Sequence, residues 1–290
     1  MILVVGATGQ LGGAVARGLR ARAHPVRILA RPGSAYQPLA DLGAEVALGD
    51  LRDPASLAVA CRGVSTVVTT ANSARRGGAD TVETVDLHGT RALIDAAARA
   101  GVGHFIYTSV LGVTEASPVP FLAAKARNES ALRGSGMTWT ILAPDAFQES
   151  WPLRVVGAPA AAGRPVAIIG TGTRRHTWIA EGDVAAFALA AVDAPAAANR
   201  HLPIGGPEAL SWLDVVAVYE RLLGRELEVR HVAAGDPLLA VPAQVQPLLA
   251  AFDTYETTLD TAPLAAEFGL VLTPLGTVAR RALAGSGAGR

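Results

Sequence analysis

Two hydrophobic rhythms alternate along the first half of the chain. Short runs rich in β-branched residues, at Ile2–Val5, Val26–Leu29, Glu45–Leu48, Thr66–Thr70, His104–Thr108 and Thr138–Leu142, read as strands. Between them lie alanine-rich stretches with helical patterning, at Leu11–Ala21 and in "DPASLAVAC", "DLHGTRALIDAAARA" and "AKARNESALRGS". Strand and helix in alternation predict a parallel sheet covered on both faces, a doubly wound, Rossmann-type α/β fold. After about residue 150 the rhythm breaks up and Pro and Gly become frequent. Helices are predicted there at Gly182–Val192 and at Trp212–Leu223, the second with Ser211 as N-cap and Gly224 as stop. The expected organisation is an α/β domain over residues 1–148 and a smaller, irregular subdomain over 149–290. The tail "AGSGAGR" is expected to fray.

Composition narrows the class. The 290 residues are 50% hydrophobic and 17% charged, ample for a large core. Lys+Arg and Asp+Glu balance at 25 each, so no overall field draws the chain to nucleic acid or an anionic membrane. Cys61 stands alone, which excludes an internal disulfide and fits the cytoplasm. The opening "MILVVGATG" lacks a basic flank and a cleavage site and reads as a buried strand. No stretch supplies the ~20 apolar residues of a membrane span.

The candidate chemistry begins at Gly6-Ala7-Thr8-Gly9-Gln10-Leu11-Gly12, which follows the first strand and opens a helix. Glycines there permit a tight turn and close approach of backbone to a pyrophosphate, whose charge meets the helix N-terminus. At the end of the second strand, Ala30-Arg31 supplies no carboxylate for a ribose 2′-hydroxyl and places a cation where a 2′-phosphate would lie, which favours NADP over NAD. Ser34 could add a hydroxyl contact. Asp50 and Leu51, closing the third strand, are placed to meet the adenine edge, and Thr70, Ala71 and Asn72 to border the ribose and phosphate. All five also suit ordinary loops.

Lys125 is the only lysine of the chain. Where bulk positive charge suffices this sequence uses arginine, so a compact ammonium at 125 points to a task a planar guanidinium does badly, such as bridging two ribose hydroxyls. An i,i+4 ion pair with Glu129 is the structural alternative. No HExxH or comparable spacing implies a metal.

Taken together, "GATGQLG", the "GD" after the third strand, "VDLHGTRALIDAAARAGVGHFIYTS", "KARNESALRGSGMTWTILAP", "TWIAEGDVA" and "HLPIGGPEALS" resemble the atypical, NmrA-like branch of the extended short-chain dehydrogenase/reductases. The resemblance spans almost the whole chain. It implies that Lys125 bonds the nicotinamide ribose and that Ser109 contacts substrate. It also implies that "ILAPDAF", with Pro144 and Phe147, lines the nicotinamide. The family's proton-donating tyrosine, four residues before the lysine, is replaced by Phe121. Tyr107 is the obvious substitute donor, although a packed tyrosine suits its strand better. Asp145 and His176 are nominally capable of acid/base work, but loop or surface roles suit them better.

Loss of a general acid costs about 10²- to 10⁴-fold where the transition state needs a proton. A ketone needs one; a quinone or a cationic conjugated dye tolerates hydride without it. The leading expectation is therefore an NADPH-dependent reductase of a quinone-like or otherwise activated small molecule. Phe147, Trp151 and Trp178 stand ready to shape its substrate pocket, or to form core. A non-catalytic NADP(H)-binding sensor acting on a protein partner is the alternative. Sugar-nucleotide epimerisation is set aside, because it uses the missing tyrosine as base. Helices flanking the sheet often pair in relatives, so a homodimer is one expected assembly, although the residues alone do not reveal it.

Overall fold

The computed structural model describes residues 1–74, 77–233, 236, 238 and 246–287. It divides into two compact units, one of Met1–Ala143 with Val184–Leu202, the other of Pro144–Asp183 with Pro203–Arg290.

The first unit opens β1 (Ile2–Val5), α1 (Gln10–Ala21), β2 (Val26–Ala30), α2 (Gln37–Asp41), β3 (Glu45–Leu48), α3 (Pro54–Ala60) and β4 (Thr66–Thr69). A π-helical turn over Val82–Gly89 then runs into α4 (Thr90–Arg99), followed by β5 (His104–Thr108), α5 (Pro120–Arg133) and β6 (Thr138–Pro144). Strand order is β3-β2-β1-β4-β5-β6, and every adjacent pair among these six is parallel. All four residues of β1 are buried, as expected of a strand covered on both faces, and this is why its run is apolar throughout rather than alternating. Leu3, Val67, Phe105 and Ile141 from the sheet share one core cluster with Leu57, Leu93 and Ile94 from the helices. Each such side chain contributes roughly 1.5–3 kcal/mol by leaving water. The order reverses between β1 and β4, where Val5 pairs with Thr69. Ligands of doubly wound sheets sit beyond the carboxyl ends of strands at such a reversal. The predicted fold class and all six predicted strands are present.

Beyond β6 the elements are α6 (Ala158–Ala161), β7 (Val166–Ile169), α7 (Glu181–Asp193), β8 (Arg200–Ile204), α8 (Trp212–Leu223), β9 (Val229–Val232), α9 (Gln246–Ala251), α10 (Ala262–Glu267) and α11 (Leu275–Gly287). The single boundary expected at 148/149 gives way to a chain that returns. Strand β8 extends the large sheet beside β6, Thr140 Oγ1 donates to the Ala197 carbonyl and Trp139 N–H to Asn199 Oδ1. From α7, Leu189 packs so closely on Gly18 of α1 that a Cβ there would meet it at 2.6 Å.

The second unit, by itself, is built on a parallel pair of strands, β7 with β9, and an aromatic cluster. Trp178 lies 4.8 Å from Trp212 and 5.1 Å from Phe252, ring centre to ring centre, and Trp151 lies 5.1 Å from Phe252. Helix α8 is capped as predicted, with a reciprocal Ser211–Asp214 capping box and left-handed Gly224 at its end. The tail expected to fray instead continues α11 to Gly287; its last residues, 288–290, lie outside the described residues. No described helix is long and apolar enough to cross a membrane.

Candidate active site

The glycine turn is built by close approach. Gly6 leaves β1 at φ +90°, and a Cβ there would stand 2.8 Å from both the Ala71 nitrogen and Thr70 Oγ1; at Gly12 it would meet the Gly6 carbonyl oxygen at 2.3 Å. Only glycine allows β1, β4 and α1 to converge this tightly. Gly9 is the N-cap of α1, with no side-chain cap and no acidic residue in the first turn, which begins with Gln10 and Leu11. The first turn thus brings no carboxylate of its own to these amide groups, which favours an anion supplied by a ligand. Gly6, Thr8, Arg31, Asp50, Leu51 and Ala71 line one cleft together with Val5, Leu29 and Gly49. The glycine cradle and this cleft suit a dinucleotide. Asn72 is exposed, and its Oδ1 accepts from Ala74 N–H at 3.0 Å.

At the rim, Arg31 Nη1 sits 2.7 Å from Asp80 Oδ2. Arg52 approaches both Asp80, at 3.2 Å, and Asp50, at 3.3 Å. Partial burial works to raise the Asp50 pKa, but the Arg52 amide and guanidinium, helped by Arg31, overcome it and hold the carboxyl below its usual range. Ser34 does not offer its hydroxyl proton to the cleft; it donates to the Arg31 carbonyl at 2.7 Å.

A second constellation joins the ends of β5 and β6 to α5. Lys125 is 4% exposed, donates to the Thr108 carbonyl at 2.8 Å, and lies over the Tyr107 ring at 4.8 Å and the Phe121 ring at 5.4 Å. Burial pushes its pKa down to about 8, against the opposing pull of Asp86 and Glu129. Glu129 is not its ion-pair partner. That carboxylate accepts from Ser109 Oγ at 2.5 Å and pairs with Arg133 at 2.8 Å, with His201 3.6 Å away. Burial alone would raise the Glu129 pKa, but His201, Ser109 and Arg133 hold it below its usual range. An ionised carboxylate only accepts, so the single Ser109 proton is committed to it. The Ser109 amide is held too, on the Leu142 carbonyl at 2.7 Å. Tyr107 is 1% exposed, and burial drives its hydroxyl pKa upward, which argues against the substitute donor.

The candidates of the second unit prove to be internal supports. Asp145 Oδ2 accepts from Thr177 N–H at 3.0 Å, Thr177 Oγ1 at 2.8 Å and Thr257 Oγ1 at 2.5 Å, while Oδ1 accepts from Ala146 N–H at 2.8 Å. His176 is fully buried, with Nδ1 3.1 Å from Thr257 Oγ1 and Nε2 donating to the Phe252 carbonyl at 2.9 Å. Burial lowers its pKa. Asp145 lies in the loop that follows β6, as expected, and His176 on isolated bridges, but both are buried rather than at the surface. Trp178 is core, at 1% exposure. Pro144 is buried at the end of β6, and Phe147 is half-buried and bridged through its backbone to Ile179.

Asp86, Asn128, Asp80 and Arg52 are among the residues of these networks that were not singled out in the sequence. Asp86 accepts from Ser73 through both the serine hydroxyl and its amide, and its own carbonyl accepts from Asn128 Nδ2 at 2.6 Å. Asn128 and Glu129 stand three and four positions after Lys125, one face of a helix, and that spacing was the available signal. Asp80 and Arg52 carried none.

The model of the NmrA-like family matches residues 1–275. The NAD(P)H azoreductase of Xenophilus azovorans is 34% identical over 233 residues, 80% of this chain and 77% of that protein. The (4-alkanoyl-5-oxo-2,5-dihydrofuran-3-yl)methyl phosphate reductase of Streptomyces griseus is 34% identical over 254 residues, covering 86% and 83%. Among solved structures, triphenylmethane reductase from Citrobacter sp. complexed with NADP(H) superposes with a TM-score of 0.80 over 97% of this chain and 99% of that one, at 24% identity, a likeness of fold.

Proposed function

Because this chain belongs to the NmrA-like family, we propose that it is an NADPH-dependent oxidoreductase that transfers hydride to a quinone-like or otherwise activated conjugated small molecule, without a catalytic tyrosine. The cofactor reading is supported by the glycine cradle, the uncapped start of α1 and Arg31 in the same cleft. Gly6, Thr8, Gly9, Gln10, Leu11 and Gly12 would hold the pyrophosphate. Asp50 and Leu51 would meet the adenine, Thr70, Ala71 and Asn72 the ribose and phosphate, and Lys125 the nicotinamide ribose. Bound NADPH supplies the hydride.

The observation that carries the choice of substrate is the Ser109–Glu129 bond. Phe121 has no proton to give, and the proton of Ser109 is held by a carboxylate. An acceptor that becomes a localised alkoxide would find neither a tyrosine nor a free serine proton here, and the Lys125 ammonium is held on the Thr108 carbonyl. A quinone spreads the incoming charge over its ring and takes its proton from water afterwards, and a cationic dye is neutralised by the hydride itself. Lys125 positions the ribose and keeps a positive charge near the reacting atoms. The azo and unsaturated-lactone acceptors named for the two relatives are conjugated as well.

The test is transfer of deuterium from NADPH labelled at the nicotinamide C4 to the central carbon of a cationic triarylmethane dye, where the new C–D bond does not exchange with water, read by mass spectrometry of the product. Label in the product supports the reading. Tight NADPH binding without transfer to any acceptor favours the second reading, a redox sensor for a protein partner, which Phe121 also suits. On the first reading the lone, buried Cys61 fits a cytoplasmic enzyme, and homodimer formation is open to light scattering.

A further inference from the structure

Arg31, which the sequence singled out for a 2′-phosphate, does not stand alone. One carboxylate, Asp80, bridges two guanidiniums, with Arg31 Nη1 2.7 Å from its Oδ2 and Arg52 Nε 3.2 Å from its Oδ1. Asp50 grips Arg52 from another side: its Oδ1 accepts the Arg52 backbone N–H at 2.8 Å, and its two oxygens lie 3.3 Å from Nε and Nη2. The Asp80 side chain is 7% exposed, whereas those of Arg31 and Arg52 are 41% and 38% exposed. The acid is thus tucked in while both arginines still reach water. Arg31 and Asp50 line the cleft that holds Gly6 and Thr8, so the network belongs to that cleft.

Resting on the reading of the cleft as an NADPH site, we propose that Arg52 is a second ligand of the cofactor's 2′-phosphate, and that Asp80 is an internal carboxylate competing with that phosphate for both arginines. Charge decides how the exchange must go. Among the described residues of this network, two arginines and two aspartates sum to zero, and a phosphomonoester brings a charge of about −2. With Asp80 in place, the arriving phosphate would meet two carboxylates whose cations are already engaged. With Asp80 turned away, two planar forks face the phosphate, the arrangement guanidinium geometry suits best. The 2′-hydroxyl of NADH is neutral and bonds well to a carboxylate, so it has no need to displace Asp80. Asp80 therefore sets the ratio in which the two cofactors are taken. Bridging, it favours the hydroxyl; displaced, it yields to the phosphate.

The experiment is titration of the full chain with NADPH and with NADH at fixed low salt, followed by cofactor fluorescence, for wild type, Asp80→Asn, Asp80→Ala, Arg52→Ala and Arg31→Ala. Removing the Asp80 charge should tighten NADPH about tenfold, in line with one competing charged hydrogen bond, and leave NADH equal or weaker. Arg52→Ala should weaken NADPH about tenfold and NADH less than twofold. The proposal is overturned if both Asp80 variants weaken NADPH, which would make the carboxylate a scaffold for the arginines. It is equally overturned if the NADPH-to-NADH ratio ignores Asp80 and Arg52. In that second case, a selective NADPH loss in Arg31→Ala leaves the cofactor reading standing, whereas equal loss of both cofactors removes that reading as well.

Discussion

Lys125 donates to the backbone carbonyl of Thr108 at 2.8 Å, which fixes the chain's only lysine ammonium to the strand end that carries Ser109. Two rings complete its setting, Tyr107 beneath one path and Phe121, from the same helix, beneath another. Phe121 thus has a physical task where the family has a proton donor: its face stabilises a buried cation. A charge so placed acts on whatever occupies the end of β5.

Lys125 should impose a pH limit. With its pKa near about 8 in the folded chain, kcat/KM for NADPH should fall as pH rises through that value, and the fall should vanish in Lys125→Met together with most turnover. A profile flat to pH 9.5 would deny the ammonium a role. Stability runs the other way. The folded pKa lies below the unfolded value of about 10.4, so the unfolded chain binds more protons between those limits. The buried charge costs stability below pH 8, and this cost is relieved as pH rises towards about 10.4. Chemical denaturation of wild type and Lys125→Met across that window reads the difference.

Ser109→Ala should reduce quinone turnover less than about tenfold, well under the loss typical for a general acid, because the serine proton is already held by Glu129. A loss of 10³-fold would show that the proton reaches the substrate. Steady-state kinetics with one quinone suffice.

Phe121→Tyr should add carbonyl reduction while keeping quinone turnover within a few-fold, since a phenol retains the ring face over Lys125. Ketone-dependent NADPH oxidation is the readout, and its absence would mean that the new hydroxyl lies out of reach of the acceptor.

Asp145→Ala should lower stability by about 3 kcal/mol, because it strips an acceptor from Thr177 and Thr257 inside the second unit. Urea unfolding measures this; an unchanged midpoint would contradict the supporting role.

The legible part of the molecule is the part governed by local rules. β1 to β6 announce themselves as short β-branched runs because a covered parallel sheet needs them, and the glycine turn follows from sterics between Gly6, Gly12 and their neighbours. What stayed hidden depends on partners far along the chain. Asp80 meets Arg31 across 49 positions and Asp145 meets Thr257 across 112, and no periodicity reports such pairs. The boundary was misplaced for the same reason, since a chain that leaves the sheet at Pro144 and rejoins it through α7 and β8 leaves no mark in composition. Asp145 does lie in a loop after β6, but burial and threonine hydroxyls, which no local pattern reports, make it and His176 internal.

The most direct test of the central claim is NADPH oxidation by the purified protein against a graded panel of simple ketones, quinones and cationic dyes, followed by absorbance. Turnover confined to the quinone and dye end, with ketones at background, is the predicted result. Ketone reduction at rates comparable to quinones would contradict it, because it would require an acid that neither Phe121 nor a Ser109 held by Glu129 supplies.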